Sequence, residues 1–363
     1  MTVPPGSTIG IIGGGQLGRM LSMAAARLGY KCHIFDPHEH PPAADVAAFF
    51  TRAAYDDRAA LERFAAQVDV ATYEFENLPV EPLTVLGDKL RPGTRSLAVA
   101  QDRASEKEFI ERCGGRVAPW RTVECLEEVE AAVAELGTPL VLKTRRYGYD
   151  GKGQAWIRSP DEARGAWEKI GAEPAVAEAG VNFVAEFSVI VARWEHGGRA
   201  FWDSPENEHG DGILRRSTVP CGDLVAAQLT EAREAALHVA EALGHVGVLT
   251  VEFFAGAEGP LVNEIAPRVH NSGHWTIEGS VTSQFEQHVR AICGLPPGAT
   301  DLIGAGAVMD NLIGDEVNRW PELVADAGAH VHIYGKGEPS PGRKMGHVTR
   351  VESAQPLRGT GEH

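Results

Sequence analysis

Apolar and polar positions alternate between two periods along the first hundred residues. Apolar runs at 7–12 and 31–35 read as strands, and between them residues 16–28 repeat apolar positions every three to four places, as a helix with one inward face does. The glycine turn 13–18 joins the first strand to that helix. Residues 57–67 are again helical in period and 70–75 strand-like, before the proline-bearing 78–82 interrupts the alternation. Strand, helix and strand in this order predict a βαβ opening, and the first domain is expected to span residues 1–98.

Further along, 102–112 predicts a helix that begins on an Asp cap, and 124–136 predicts another. Residues 140–144 form a short apolar strand before a glycine loop. Strands are expected near 175–178, 183–192, 247–254 and 261–265, with a helix at 230–243, which makes this part α+β. The divisions expected are 99–185, 186–297 and 298–363, with low complexity confined to the terminal 353–363 and no internal repeat.

Length and composition narrow the class. A chain of 363 residues, 43% hydrophobic and 23% charged, suits two or three globular domains and excludes collagen-like and disordered classes. The formal net charge of −16 sets the average surface against nucleic acid and anionic membranes, so an anionic ligand needs a local basic pocket. Five scattered cysteines without CxxC spacing argue against a disulfide framework or a zinc site and are expected as buried, reduced thiols. No charged leader and no stretch of membrane-span length appear, which predicts a cytoplasmic protein.

Two segments carry candidate chemistry. Gly13-Gly14-Gly15-Gln16-Leu17-Gly18 satisfies G-x-G-x-x-G, and Asp36 ends the next strand where a dinucleotide's ribose ligand would sit. That pattern permits an NAD-dependent dehydrogenase, but free amides at a helix start attract any phosphate or carboxylate, and a purely structural turn also fits. The second segment sets Lys143 on an apolar strand before a loop in which Gly148, Gly151 and Gly153 let amides approach polyphosphate, with Lys152 adding charge. Glu252 and Glu264 lie in two mostly apolar strands, where a carboxylate is costly unless paired or bound to a cation such as Mg²⁺. Strict alternation turns Asn263 to the face opposite Glu264 unless the strand ends there.

These residues resemble those of ATP-grasp ligases. More closely, Gly14-Gly-Gln-Leu-Gly-Arg-Met20, Tyr149-Asp-Gly-Lys-Gly-Gln154, Asp211-Gly-Ile-Leu-Arg215, Asn263-Glu-Ile-Ala-Pro-Arg-Val-His-Asn-Ser-Gly-His274 and Gly342-Arg-Lys-Met-Gly-His347 resemble the N5-carboxyaminoimidazole ribonucleotide synthetases, over about residues 8–350. The likeness implies a Rossmann-like pre-ATP-grasp domain, an ATP-grasp domain with a mobile lid, and a small β-rich C-terminal unit. It implies carboxylation of the amine of 5-aminoimidazole ribonucleotide by ATP and bicarbonate through carboxyphosphate, with two Mg²⁺ ions. A cytoplasmic homodimer without nucleic-acid or membrane partners is expected with it.

Carried over by motif, Arg103 and Lys143 would contact ATP phosphates, and Gly148, Tyr149, Asp150, Gly151, Lys152, Gly153 and Gln154 would close over them. Glu178 would mark the adenine-binding hinge, Glu186 would hold the ribose hydroxyls and His209 would lie near the nucleotide. Glu252 and Glu264 would hold the metals with Asn263 alongside, while Arg268, His270 and Asn271 would hold bicarbonate and the carboxyl intermediate. On the acceptor side the likeness implies Gln16, Tyr149, Asp150 and Lys152, with Glu74 or Glu76 reaching the amine and Lys336, Arg343 and Lys344 holding its phosphate. Ser340 stands where family members often carry arginine. A formate-dependent glycinamide ribonucleotide transformylase, a biotin carboxylase, the dehydrogenase and a noncatalytic nucleotide-binding module remain as rivals.

Overall fold

The computed structural model describes residues 2–148 and 153–353. Its first sheet is parallel, in the order β3-β2-β1-β4, from β1 (Thr8–Ile12), β2 (Lys31–Asp36), β3 (Phe49–Arg52) and β4 (Val70–Tyr73). Central strands of a parallel sheet are covered on both faces, which is why β1 and β2 read as apolar runs and not as alternations. The edge strand β3 escaped the sequence reading because its side chains are largely exposed and half polar. The strand expected to reach residue 75 ends at Tyr73; beyond it the Glu74 amide adds one more bond, to the Ile12 carbonyl at 3.0 Å.

The second sheet is antiparallel, in the order β5-β8-β6-β7, from β5 (Trp120–Val123), β6 (Leu140–Thr144), β7 (Gln154–Ile157) and β8 (Ala175–Ala179). The helices Leu126–Leu136 and Ala163–Lys169 cover one of its faces, packing Val129, Val133 and Trp167 against Leu140, Leu142 and Ala177. Because alternate residues of a strand point oppositely, Val141, Lys143 and Glu178 are left on the other face, where they line a cleft.

The third sheet joins β9 (Ala185–Arg193), β10 (Arg199–Phe201), β11 (Glu206–Gly210), β12 (Ile213–Val219), β13 (Gly247–Gly256), β14 (Gly259–Ala266), β15 (Gly306–Ile313), β16 (His330–Ile333) and β17 (Lys344–Glu352). All its pairings are antiparallel, in the order β14-β13-β9-β11-β12-β15-β17-β16, with β10 beside β9. The β-rich segment expected from residue 298 on therefore continues this sheet through the β12–β15 pairing. The helix expected at 230–243 begins earlier, at Asp223, and packs Val225, Ala236 and Val239 onto Phe187, Val191 and Val251.

One core runs through both the first and third sheets, and the helix Gln284–Ile292 fills it with Phe285, Val289 and Ile292. Two buried histidines bind the same seam. His288 takes the Val248 amide on Nδ1 at 3.1 Å and meets the Thr72 hydroxyl with Nε2 at 2.8 Å, while His245 bonds Ser96 at 3.1 Å and the Val248 carbonyl at 2.9 Å. Burial lowers the first to about 3 and the second to about 4, so both stay neutral.

The five cysteines are unpaired, but only Cys32 and Cys293 are buried; Cys113, Cys125 and Cys221 are partly exposed, unlike the expectation. No described helix is long and apolar enough to cross a membrane.

Candidate active site

Glu252 and Glu264 oppose each other across β13 and β14, and the register slips immediately after, with Phe253 opposite Val262. Asn263 is the extra residue of that bulge. An extra residue resets the alternation, so Asn263 and Glu264 line the same cleft where a regular strand would have parted them. The two carboxylates are unequally neutralised. Burial and the charge of Glu264 push Glu252 up, whereas for Glu264 burial is outweighed by Arg103 and Lys143, which hold it down. Arg103 lies 3.1 Å from Glu264, and the donor set of two carboxylates and an amide oxygen suits a hard dication with phosphate oxygens completing its shell.

Lys143 reaches this group from β6. Its Nζ donates to Glu178 Oε2 at 3.0 Å and to Asn263 Oδ1 at 3.4 Å. Lys107, from the helix Arg103–Arg112, forms an ion pair with the other oxygen of Glu178 at 3.2 Å. Burial alone would raise Glu178, but Lys143, Lys107 and Arg103 overcome it and hold the group at about 2. Thus Glu178 is a buried keystone between two lysines.

The cleft beyond, roughly 310 Å³, is walled by Val141, Trp156 and the stacked pair Phe183 and Phe254, whose rings lie 4.6 Å apart. Glu186 and His209 meet at 3.2 Å in the same cleft. Flat apolar walls with carboxylates at the rim suit a purine and its ribose. Gly148 accepts from Arg103 at 3.4 Å through its carbonyl, and Gln154 opens β7 opposite Lys143. Gly153 has φ of 68°, and a Cβ there would lie 2.4 Å from the Thr144 hydroxyl, so this position requires glycine. Tyr149, Asp150, Gly151 and Lys152 lie outside the described residues.

A larger cleft of roughly 730 Å³ adjoins it, lined by Gln16, Glu74, Glu76, Arg268, Asn271, Lys336 and Arg343. Arg103, Glu264, His270 and Lys344 line both clefts, so the two spaces meet there. Arg268 grips Glu76 with two bonds, at 2.5 and 3.1 Å. The Ser272 amide donates to His270 Nδ1 at 3.3 Å, leaving Nε2 to face Glu252 at 3.2 Å. Burial, with Arg268 and Lys344 adding to it, holds His270 far below its ordinary value, so it stays neutral. Asn271 spends its amide on a reciprocal pair with Asn311, at 2.9 and 2.7 Å, and so braces the cleft wall.

The glycine turn differs from the expectation. The Gly18 amide donates to Glu74 Oε2 at 2.7 Å and the Gly15 amide to Glu74 Oε1; the Gly14 amide donates to Asp36 Oδ2 at 2.7 Å, and the Gly13 amide to the Phe35 carbonyl at 2.9 Å. An internal carboxylate thus occupies the positive helix start where an external phosphate was a candidate. Asp36, engaged further by Tyr55 at 2.7 Å, is no ribose ligand, and the dehydrogenase reading loses its site. Three basic residues, Lys336, Arg343 and Lys344, line the larger cleft; Lys336 donates to the Lys344 carbonyl at 2.9 Å, and the turn at Ser340 and Arg343 is closed by a 3.1 Å backbone bond.

Sequence reasoning missed Glu106, Lys107 and Arg145. Glu106 accepts the Ile265 amide at 2.6 Å, and burial, partly offset by Arg103, raises it to about 8. Arg145 pairs with the cap Asp102 at 2.9 Å and lines the larger cleft. The signal available for the first two was slight: charged residues on a polar helix normally face water.

Residues 6–101 match a ribonucleotide synthetase preATP-grasp domain, 108–285 an ATP-grasp domain and 307–356 a phosphoribosylaminoimidazole carboxylase C-terminal domain. An N5-carboxyaminoimidazole ribonucleotide synthase of Brucella melitensis is 50% identical over 97% of this chain and 98% of its own. The Staphylococcus aureus N5-carboxyaminoimidazole synthetase complexed with ADP superposes with a TM-score of 0.91 at 39% identity, covering 96% of this chain and 94% of that one. An Aspergillus clavatus N5-carboxyaminoimidazole synthase in complex with ADP and 5-aminoimidazole ribonucleotide gives 0.89 at 30% identity, over 96% and 94%. A pre-ATP-grasp sheet, an ATP-grasp site and the carboxylase C-terminal strands follow one another in a single chain, and the chain belongs to the N5-carboxyaminoimidazole ribonucleotide synthase family.

Proposed function

We propose that this chain carboxylates the amine of 5-aminoimidazole ribonucleotide with ATP and bicarbonate, and that the junction of its two clefts is where the chemistry occurs. The observation that carries the reading is the set of residues common to both clefts, Arg103, Glu264, His270 and Lys344. A nucleotide in the smaller space and an acceptor in the larger one would present the γ-phosphate and the amine to the same four groups.

In the smaller cleft the stacked Phe183 and Phe254 wall one side of the purine, Glu186 takes the ribose hydroxyls, and Lys143 and Arg103 hold the phosphates. Glu252, Glu264 and Asn263 would hold Mg²⁺, which would neutralise developing phosphoryl charge. Glu178 aims Lys143, and His270 aims Glu252. A bicarbonate oxygen attacks the γ-phosphorus, the bond to the β-phosphate oxygen breaks, and ADP departs with the electron pair, leaving carboxyphosphate.

Carboxyphosphate hydrolyses readily in water, so the acceptor must be seated beforehand. Lys336, Arg343 and Lys344 hold its phosphate, and Arg268 offers cationic N–H groups to the carboxyl oxygens. The amine attacks the carboxyl carbon, a proton leaves the nitrogen, and inorganic phosphate departs carrying the bridging oxygen. The same reading includes a cytoplasmic homodimer, as the family likeness implies, for which sedimentation equilibrium at twice the chain mass is expected.

The test follows oxygen. With ¹⁸O-labelled bicarbonate, the phosphate released should carry one ¹⁸O per turnover; unlabelled phosphate at full turnover would contradict attack by bicarbonate on the γ-phosphorus.

A further inference from the structure

Among the described residues outside the two clefts, one cluster combines metal-ligating side chains with buried atoms that have no hydrogen-bond partner. His332 on β16 and His347 on β17 are direct cross-strand partners, and Glu278 reaches them from the helix Thr276–Gly279. One donor atom from each of the three lies within 4.8 Å of the others. Glu278 Oε1 already meets His332 Nε2 at 2.8 Å. Its second oxygen and His347 Nε2 are buried without a hydrogen-bond partner among the described residues.

We infer that Glu278, His332 and His347 form a site for a transition-metal dication of the zinc class, which fastens the helix Thr276–Gly279 to β16 and β17. Two imidazoles and one carboxylate are a borderline donor set that favours Zn²⁺ or Co²⁺ over the all-oxygen preference of Mg²⁺, so this site is chemically distinct from Glu252 and Glu264. Tetrahedral bonds of about 2.0–2.2 Å set ligand atoms roughly 3.3–3.6 Å apart, so the Glu278–His332 contact of 2.8 Å must open slightly around the ion. The His332 and His347 rings are stacked at 4.3 Å and 9°, so one must turn to aim its lone pair. His332 has the room: its side chain is 21% exposed, and it opens the route to solvent.

The outer contacts agree. His347 Nδ1 lies 2.8 Å from the Tyr334 hydroxyl oxygen. With the Nδ1 proton donated there, the lone pair sits on buried Nε2, the tautomer a metal requires. Tyr334 also lies under Lys336, 5.5 Å from its ring centre, so a metal here would steady a wall of the acceptor cleft.

The full-length, metal-stripped protein would be titrated with Co²⁺ in Mg²⁺-free buffer. One equivalent should produce the intense visible bands of four-coordinate cobalt, undiminished in Glu264→Gln. Glu278→Gln and His332→Ala should abolish them, and Tyr334→Phe should weaken binding by about 10–100-fold while keeping their shape. Zn²⁺ should raise the melting temperature of the parent and of Glu264→Gln but not of His332→Ala, whose metal-free melt reports its folding. Weak six-coordinate bands alone, or bands that persist in His332→Ala and vanish in Glu264→Gln, would overturn the site.

Discussion

Glu252 and Glu264 face each other across β13 and β14 and, among the described residues, only Arg103 is in direct ion-pair contact with Glu264. Such a pair is a charge excess held for a cation. Glu264→Gln should therefore lower turnover by at least ~10²-fold at saturating Mg²⁺, since it weakens the hold on developing phosphoryl charge. In Mg²⁺-free buffer Glu252→Gln should melt no lower than the parent, because it relieves like-charge repulsion. Steady-state rates and thermal melts check both, and near-normal turnover of Glu264→Gln would contradict the assignment.

The keystone Glu178 calls for the opposite balance. Only 3% exposed, it stands between Lys107 and Lys143, and its removal leaves two cations facing each other in the interior. Glu178→Ala should cost roughly 3–5 kcal/mol by denaturant unfolding, as expected when one partner of a buried ion pair is lost. Lys143→Ala, at the rim of the network, should unfold at nearly the parental denaturant concentration yet lose at least ~10-fold in kcat/KM for ATP.

How far the sequence could be read varies from element to element. The apolar strands β1, β6 and β13 and the Asp102 cap announce themselves, because burial and capping leave local marks. The strands β3 and β10 are short and expose polar side chains, which erases their period. Within the site, Lys143, Glu252 and Glu264 stand out as charges in apolar strands. The seat of the glycine turn was not legible, because Glu74 lies 56 residues from Gly18 and no local pattern joins them. Likewise the bulge that turns Asn263 toward Glu264 exists only in the pairing of two strands.

On the proposed function, the turn carrying Arg343 and Lys344 would hold the acceptor's phosphate in the larger cleft that both residues line. Charge-assisted bonds are worth roughly 1.5–3 kcal/mol each, so Arg343→Ala should raise KM for 5-aminoimidazole ribonucleotide by about 10–100-fold. KM for ATP should stay level. The reverse pattern would move this turn into the nucleotide site.

His245 and His288 give stability a pH dependence with a definite sign. Both are held neutral in the fold, at about 4 and about 3, against an ordinary value of 6.5. Above pH 7 neither state binds the proton, so stability is flat. Below 6.5 the unfolded chain takes up protons that the native one refuses, and stability falls by up to about 1.4 kcal/mol per pH unit for each histidine until the folded values are reached. Urea unfolding between pH 7.5 and 4.5 should show this slope, and His288→Gln should flatten part of it; an unchanged slope would place the titration elsewhere.

The central claim is that ATP is cleaved to join bicarbonate to the amine of 5-aminoimidazole ribonucleotide. Its most direct test is ADP release measured against a panel of substrates. The account predicts fast release only when 5-aminoimidazole ribonucleotide and bicarbonate are present together, with glycinamide ribonucleotide and formate silent. Turnover with formate and glycinamide ribonucleotide, and none with bicarbonate and 5-aminoimidazole ribonucleotide, would contradict it.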